Sequence, residues 1–136
     1  MDCIFCKIAC GEIKPDVIHE NDGALAFLDR NPITPGHTVI IPKAHAADIS
    51  EAKHDSIGHT FVAVQAAVKL LKKTLEPDGF TIGINHGRAA GQAINHLHIH
   101  VLPRWSNDGG ITIHGVVKNP PESYEAIKAK IMRGLK

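Results

Sequence analysis

Residues 96–102 read His96-Leu97-His98-Ile99-His100-Val101-Leu102, a strict alternation of histidine with aliphatic residues that ends at Pro103. Because successive side chains of a β-strand point to opposite faces, this pattern predicts a strand over His96–Leu102 with the three imidazoles on one face. Neighbouring histidines would stand about 6.6 Å apart, since each residue of a strand rises about 3.3 Å. The aliphatic side chains would pack on the other face.

The rest of the chain predicts further short strands and one long helix. A turn at residues 21–23 separates two strand-like runs. A third run, at residues 38–41, lies between Pro35 and Pro42. The helix is expected over Asp55–Leu75, with one apolar face and Pro77 beyond its end. That face comprises Ile57, Phe61, Val64, Val68, Leu71 and Leu75. The other predicted elements are a helical turn at 2–10, strands at 17–20, 24–29, 38–41, 80–85 and 111–114, and a helix at 124–132.

Strand runs around a single long helix predict an α+β fold built on an antiparallel sheet. The 136 residues suit one domain, and 43% hydrophobic and 21% charged residues are typical of folded globular proteins. A net charge of +1 argues against binding nucleic acid or anionic membranes through bulk charge. No apolar run approaches the roughly 20 residues of a membrane span, and the start does not resemble a signal peptide. We therefore expect a cytoplasmic protein.

The three cysteines, Cys3, Cys6 and Cys10, all lie in the first ten residues. An odd number crowded at one end is not a disulfide framework. The Cys3-x-x-Cys6 spacing suits either a structural zinc site or a redox pair.

The alternating histidines allow three interpretations. They could form the polar face of a half-buried strand, although other polar residues serve that role equally well. A His-x-His pair with a third ligand could hold a catalytic zinc with an open position. Alternatively, a neutral imidazole whose Nδ1–H is held by a fixed acceptor could attack an electrophile through Nε2. Nucleotide phosphorus suits an uncharged nucleophile, and flanking histidines could donate to the phosphoryl oxygens.

The alternating stretch resembles the signature of the histidine triad (HIT) superfamily of nucleotidyl hydrolases and transferases. Other segments match the family in order and spacing over about Asp2 to Trp105, and the likeness is closest to bacterial members of the Hint-like branch that carry an N-terminal CxxC. The matching segments are Cys3-Ile4-Phe5-Cys6-Lys7-Ile8, Ala26-Phe27-Leu28-Asp29, residues 35–45 (PGHTVIIPKAH), Asn85 and Gly91-Gln92. The resemblance implies one HIT domain over residues 1–136, with 106–136 as a C-terminal extension, and a homodimer in which two sheets join.

The resemblance also implies catalytic roles. His98 would attack the α-phosphorus of an adenosine nucleotide and form a covalent nucleotidyl-histidine that water then hydrolyses. His100 would polarise the phosphoryl oxygens, His37 would orient the catalytic histidines, and Gln92 would lie near the leaving group. This chain has Ala93 where many relatives carry serine, so it lacks that hydroxyl donor.

By the same resemblance, Asp29 would bind the ribose hydroxyls, Asn85 would lie beside the phosphate, and the backbone of Gly91, Gln92 and Ala93 would cradle it together with His98 and His100. The residues expected to wall the base are Ile4, Phe5, Ile8 and Ile18. From the residues alone, core packing explains that apolar set equally well, and Asp29 also suits a turn.

The resemblance is to bacterial members with the N-terminal CxxC motif, whose zinc site has two cysteine and two histidine ligands. It implies a zinc site here with Cys3, Cys6, His45 and His96 as ligands. Such a closed site would be structural and would leave His98 and His100 free, so no catalytic metal is expected. The alternative is a reduced, metal-free thiol pair packed on the sheet.

These features together predict a hydrolase of adenylyl P–N or P–O bonds. The expected partners are purine nucleotides (derivatives of AMP or GMP), with nucleoside phosphoramidates as the expected substrates. The sequence leaves three alternatives: a dinucleoside polyphosphate hydrolase, a nucleotide-binding regulatory protein, and a zinc hydrolase with histidine ligands.

Overall fold

A single antiparallel sheet organises the chain. The computed structural model describes residues 2–119 and 123–135. The elements are helices α1 (Ile4–Ala9), α2 (His54–Leu75) and α3 (Tyr124–Gly134), strands β1 (Val17–Glu20), β2 (Ala24–Leu28), β3 (Thr38–Pro42), β4 (Gly79–Gly83) and β5 (Ile99–Arg104), and 3₁₀ turns Arg88–Ala90 and Ile113–Gly115. The five strands lie in the order β1-β2-β3-β5-β4. The predicted α+β fold is therefore confirmed.

The central strand β3 places the histidines in defined rows across the sheet. Val39 of β3 pairs with Phe27 of β2 on one side and with His100 of β5 on the other. His100 pairs in turn with Gly83 of β4. A Cβ atom built at Gly83 would meet no atom within 4 Å, so the sheet surface beside His100 is open.

Helix α2 packs on the face of the sheet opposite to the histidines. Its buried residues are Thr60, Ala63, Val64, Ala67 and Leu71. The facing residues Ala24 and Ala26 of β2 are fully buried, and such small side chains let the helix approach the strands closely. The prediction of the buried face of α2 was partly wrong, because two of its residues are exposed, Phe61 by 43% and Leu75 by 40%.

Helix α1 covers part of the other face, the one that carries the histidines. Cys3 is the N-cap of α1 and its Sγ accepts a hydrogen bond from the backbone of Cys6. Phe5 and Ile8 of α1 are buried. They belong to a second core cluster with Cys3, Leu25, Phe27, Val39 and Ile41.

The strands predicted at 96–102 and at 111–114 differ most from the structure. Strand β5 begins at Ile99 rather than His96, because the backbone N–H of Leu97 bonds to the carbonyl of Ala46 outside the strand ladder. The strand predicted at 111–114 was wrong: Ile113–Gly115 is a 3₁₀ turn, and Ile111 and Ile113 are exposed. None of the helices among the described residues is long and apolar enough to cross a membrane.

Candidate active site and metal centre

His98 has one ring nitrogen anchored and the other available for reaction. Its Nδ1 lies 2.8 Å from the carbonyl oxygen of His96, and because a carbonyl only accepts, Nδ1 carries the hydrogen. In the neutral ring, Nε2 therefore keeps its lone pair and points away from His96. The residue is only 8% exposed, so this arrangement is held within the fold. It is the protonation state that a histidine nucleophile requires.

A second chain of hydrogen bonds orients His100. The backbone N–H of Ile33 donates to Nδ1 of His37 over 3.3 Å, so His37 carries its hydrogen on Nε2. That Nε2 lies 2.9 Å from Nδ1 of His100 and donates to it. Neutral His100 consequently carries its own hydrogen on Nε2, next to His98, whose ring centre is 5.1 Å away. The pair therefore presents one lone pair and one N–H donor side by side.

Burial keeps His37 and His100 neutral. Desolvation, together with the neighbouring His98 and His37, lowers the pKa of His100 to about 4, against the opposing effect of the Asp29 carboxylate. Desolvation also lowers the pKa of His37, against the opposing effect of the Asp29 carboxylate. At neutral pH both rings are uncharged, which is the condition under which the hydrogen-bond directions above hold.

Asp29 lies at the end of β2 beside His37. Its backbone N–H donates to the carbonyl of His37 over 2.9 Å, and its Oδ2 is 3.7 Å from Nε2 of His37. Its Oδ1 accepts from the backbone of Asn31, so the carboxylate also closes a turn, as the sequence allowed. One carboxylate oxygen remains free of the turn and faces the histidine cluster.

The apolar residues expected around a base do not all come together. Phe5 packs edge-on against His98, with ring centres 5.0 Å apart, and against Phe27 at 6.0 Å. Ile8 is buried in the same cluster, and Ile4 is 47% exposed beside it. Ile18 instead packs in the cluster under α2, on the opposite face of the sheet. Val17 pairs with Phe27 of the cluster that contains Phe5, and successive side chains of a strand point to opposite faces, so the structure separates Ile18 from the other three.

Gln92 uses its whole side-chain amide to hold the loop that precedes the histidine strand. Its Oε1 accepts from the backbone of Gly87 at 2.8 Å, and its Nε2 donates to the carbonyls of Ala47 at 2.8 Å and Ile94 at 3.0 Å. Both amide hydrogens of Gln92 are therefore used within the protein, and neither is free to donate to a leaving group in this conformation.

The other residues of this loop lie close to one another. A Cβ atom at Gly91, whose φ is +100°, would stand 3.7 Å from Nδ2 of Asn85. Gly91, Asn85 and Ala93 are exposed. Ala93 lines a cavity that also contains Ile4 and His45.

The four predicted metal ligands converge at the start of the histidine strand. The ligand atoms of Cys3, Cys6, His45 and His96 all lie within 4.8 Å of one another. Nδ1 of His96 is 3.4 Å from Sγ of Cys3, 3.5 Å from Sγ of Cys6 and 3.1 Å from Nδ1 of His45. Tetrahedral zinc with two sulfur and two nitrogen ligands implies separations of about 3.3–3.8 Å. The donor set therefore fits zinc, and the cluster is compact enough for its four residues to reach one ion.

Backbone groups complete both centres, and sequence reasoning did not identify them. The Ile33 N–H sets the tautomer of His37, the His96 carbonyl that of His98, and the Pro42 carbonyl, 2.9 Å from Nε2 of His96, that of His96. Every residue carries a backbone carbonyl, and every residue except proline carries an N–H, so no residue type could have marked these groups.

Comparison with known proteins gives a consistent result. The HIT domain model matches residues 10–107. An uncharacterised HIT-like protein of Methanocaldococcus jannaschii is 45% identical over 117 residues, covering 86% of this chain and 90% of that protein. Adenylylsulfatase HINT3 of Arabidopsis thaliana is 38% identical over 107 residues, which cover 79% of this chain and 54% of the plant protein.

A solved structure agrees over nearly the whole chain. The zinc-bound histidine triad family protein of Mycobacterium smegmatis superposes with a TM-score of 0.75 and 30% identity, covering 98% of each chain. With the family model, the relatives and the convergent histidines in agreement, this chain belongs to the HIT domain family.

Proposed function

We propose that the protein hydrolyses adenylyl P–N or P–O bonds through a covalent nucleotidyl-histidine at His98. The observation that carries this proposal is that two neighbouring imidazoles hold their hydrogens on different nitrogens, His98 on Nδ1 and His100 on Nε2. The His96 carbonyl leaves a lone pair on Nε2 of His98, and the relay through His37 leaves a hydrogen on Nε2 of His100. A nucleophile and a donor for a phosphoryl oxygen thus stand side by side in neutral form.

In the proposed reaction, Nε2 of His98 forms a bond to the α-phosphorus. The bond from phosphorus to the leaving nitrogen or oxygen breaks, and its electron pair leaves with that atom, which takes up a proton from the solvent. Water then attacks phosphorus and gives up a proton to the solvent, the bond to His98 breaks, and the nucleoside monophosphate is released with the imidazole restored. His100 donates to a phosphoryl oxygen whose negative charge grows in each transition state.

Purine nucleotides are the proposed substrates, and nucleoside phosphoramidates are the proposed class. Phe5 and Ile8 offer an apolar wall next to His98, and the free oxygen of Asp29 suits the ribose hydroxyls. A relative named as an adenylylsulfatase supports cleavage at an adenylyl group.

We propose a structural zinc at Cys3, Cys6, His45 and His96. Their distances suit one tetrahedral ion, and a neighbouring structure of the family is described as zinc-bound. Bound there, the metal would tie α1 to the segment before β5. Four protein ligands leave no open position for a substrate, so the chemistry rests with His98 and His100.

A cytoplasmic homodimer is the proposed form of the protein. Strand β4 is one of the two outer strands of the sheet and so can pair with a second copy, joining the two sheets. The cysteines at positions 3, 6 and 10 are free thiols, which suits a reducing compartment. Sedimentation equilibrium tests the oligomeric state, and a monomer at micromolar concentration would contradict the dimer.

The decisive experiment measures AMP release from adenosine phosphoramidate and from diadenosine tetraphosphate. It compares the wild type with His98→Ala and with His54→Ala, which changes an exposed histidine of α2. We expect faster release from the phosphoramidate and a loss on the order of 10³-fold or more in His98→Ala alone, because the nucleophile is gone. Full activity in His98→Ala would overturn the mechanism.

The same measurement separates the alternatives. Preference for the dinucleotide keeps the mechanism but indicates a dinucleoside polyphosphate hydrolase. Binding of AMP without turnover of either substrate indicates a nucleotide-binding regulatory protein. A zinc hydrolase would lose all turnover with its metal and would form no adduct on His98.

A further inference from the structure

His96 belongs to both centres of the protein. Its imidazole Nδ1 faces Cys3, Cys6 and His45, while its backbone carbonyl accepts the hydrogen bond from Nδ1 of His98. The metal centre and the nucleophile are therefore connected through the side chain and the backbone carbonyl of a single residue.

The ring of His96 is held at both of its nitrogens when a metal is bound. Its Nε2 lies 2.9 Å from the carbonyl of Pro42, so Nε2 carries the hydrogen and Nδ1 directs its lone pair at the cluster. The residue is 0% exposed. The adjacent Leu97 N–H bonds to the Ala46 carbonyl at 2.7 Å. A metal bond at Nδ1 would complete this set of anchors and fix the peptide whose carbonyl holds His98.

A second connection runs through α1. Cys3 caps this helix and Cys6 lies within it, so a metal bound to both thiolates fixes the position of Phe5 between them in sequence. The Phe5 ring packs edge-on against His96, with centres 5.8 Å apart, and against His98 at 5.0 Å. Phe5 thus limits how far the His98 ring can turn.

We propose that the metal held by Cys3, Cys6, His45 and His96 positions the nucleophile, so that metal occupancy sets the fraction of molecules in which Nε2 of His98 is aimed at phosphorus. The four ligands and Phe5 are positioning residues in this proposal. A metal that only fastened the N-terminus would stabilise the fold without changing the state of His98. The inference rests on the proposed role of His98 as nucleophile.

The variant best suited to test this is His45→Ala. His45 is exposed and has no contact with His98 among the hydrogen bonds and ring contacts of the described residues, so removing it opens the metal centre without touching the nucleophile. His45→Cys is its rescue partner, because three thiolates and one imidazole also bind zinc. Val64→Ala serves as a matched destabilised control, since Val64 is buried under α2 on the opposite face of the sheet.

Two readouts are taken on the full chain, loaded with zinc or treated with a chelator and a reductant. Nitrogen-15 NMR of the histidine side chains reports the His98 tautomer, and steady-state kinetics report kcat and KM. Both are measured at a temperature where circular dichroism shows every sample folded. We expect metal-free protein and His45→Ala to lose the single Nδ1–H form of His98 and to lose about 10–100-fold in kcat. Adding zinc to the metal-free protein restores both readouts. His45→Cys, loaded with zinc, recovers the single Nδ1–H form that His45→Ala loses, and Val64→Ala keeps wild-type behaviour.

An unchanged His98 tautomer in folded, metal-free protein would overturn the proposal. If chelation unfolds the wild type, Phe5→Leu in zinc-loaded protein tests the second connection, and the proposal then requires a disturbed His98 signal at unchanged zinc content. If no form hydrolyses any nucleotide, the proposed function fails, while the NMR comparison still decides whether the metal positions His98.

Discussion

Nε2 of His37 donates a hydrogen bond to Nδ1 of His100 across 2.9 Å. The Ile33 backbone determines that direction, because its N–H donates to the other ring nitrogen of His37. Reversing the relay would require His37 to move its hydrogen to Nδ1, where the Ile33 N–H already occupies the acceptor position. The position of the hydrogen on Nε2 of His100 is consequently a property of the loop between β2 and β3 as well as of the histidine strand.

Acid should destabilise the fold through His100. Its pKa is about 4 in the folded state, well below the ordinary value of 6.5, because the ring is desolvated and lies near His98 and His37. Between those two values the unfolded chain binds more protons, so stability is fully present above about pH 6.5 and declines as the pH falls toward 4. Thermal melting measured from pH 7.5 to 4 should show this decline.

The variant His100→Gln isolates that contribution, because glutamine does not titrate. Its melting temperature should fall less steeply with pH than that of the wild type over the same range, whereas His54→Gln, at an exposed position, should keep the wild-type slope. Equal slopes in wild type and His100→Gln would show that His100 does not carry the effect.

Local patterns were read correctly where local geometry decides the outcome. The alternation over 96–102 places His98 and His100 on one face because the two-residue period of an extended chain holds even before β5 begins at Ile99. The position of α2 could not be read in this way. Its burial depends on Ala24 and Ala26 of a distant strand, so Phe61 is exposed although it fits the helical period.

The site shows the same division. The side chains proposed to bind or react, such as His98 and the four proposed metal ligands, belong to residue types whose chemistry is visible in the sequence. The side chain of Gln92 is different, since its partners are the backbone atoms of Gly87, Ala47 and Ile94. Backbone partners have no residue-type signal, so only the folded chain reveals them.

Asp29→Asn should weaken nucleotide binding through the ribose. A hydrogen bond to a charged group contributes about 1.5–3 kcal/mol against roughly 1 for a neutral one, so we expect about a 3- to 30-fold loss in AMP affinity. Asparagine keeps the oxygen that bonds the Asn31 N–H, so the turn should survive. Calorimetric titration with AMP and with its 2′,3′-dideoxy analogue measures the effect.

The dideoxy analogue lacks the hydroxyls and should bind wild type and Asp29→Asn equally. Asp22→Asn, in the exposed hairpin turn, provides the control for a lost negative charge. The same loss for both ligands would mean that Asp29 acts on the phosphate or on His37 instead of the ribose.

Gln92→Ala should act on the loop and not on one leaving group. Removing three hydrogen bonds leaves the Gly87 N–H and two carbonyls without their partner, which should cost about 1–3 kcal/mol of stability and raise KM. Gln65→Ala, at an exposed position of α2, should change stability by less than about 0.5 kcal/mol. Chemical denaturation and kinetics with two substrates check both statements.

The two substrates distinguish a loop clamp from a leaving-group contact. A clamp predicts the same fold-change in kcat/KM for an ammonia and for a phosphate leaving group. A direct contact with the leaving group, the role implied by the family resemblance, predicts fold-changes that differ between them.

Gly36→Ala should damage both stability and the relay, because Gly36 precedes His37 in a position that no other residue suits. Its φ is +81°, and a Cβ atom there would stand 2.5 Å from Cδ1 of Leu75. The left-handed backbone costs an alanine about 1–2 kcal/mol, and the end of the Leu75 side chain must move aside to admit the new Cβ. Gly58→Ala is the control: this exposed helical position has no atom within 4 Å of the new Cβ, so it should gain roughly 0.5–1 kcal/mol.

Denaturant unfolding of both variants measures these changes, and NMR of the His37 and His100 rings reports the relay. A Gly36→Ala protein with wild-type stability would mean that the loop before His37 can shift, and the fixed direction of the His37–His100 hydrogen bond would then lose its structural basis.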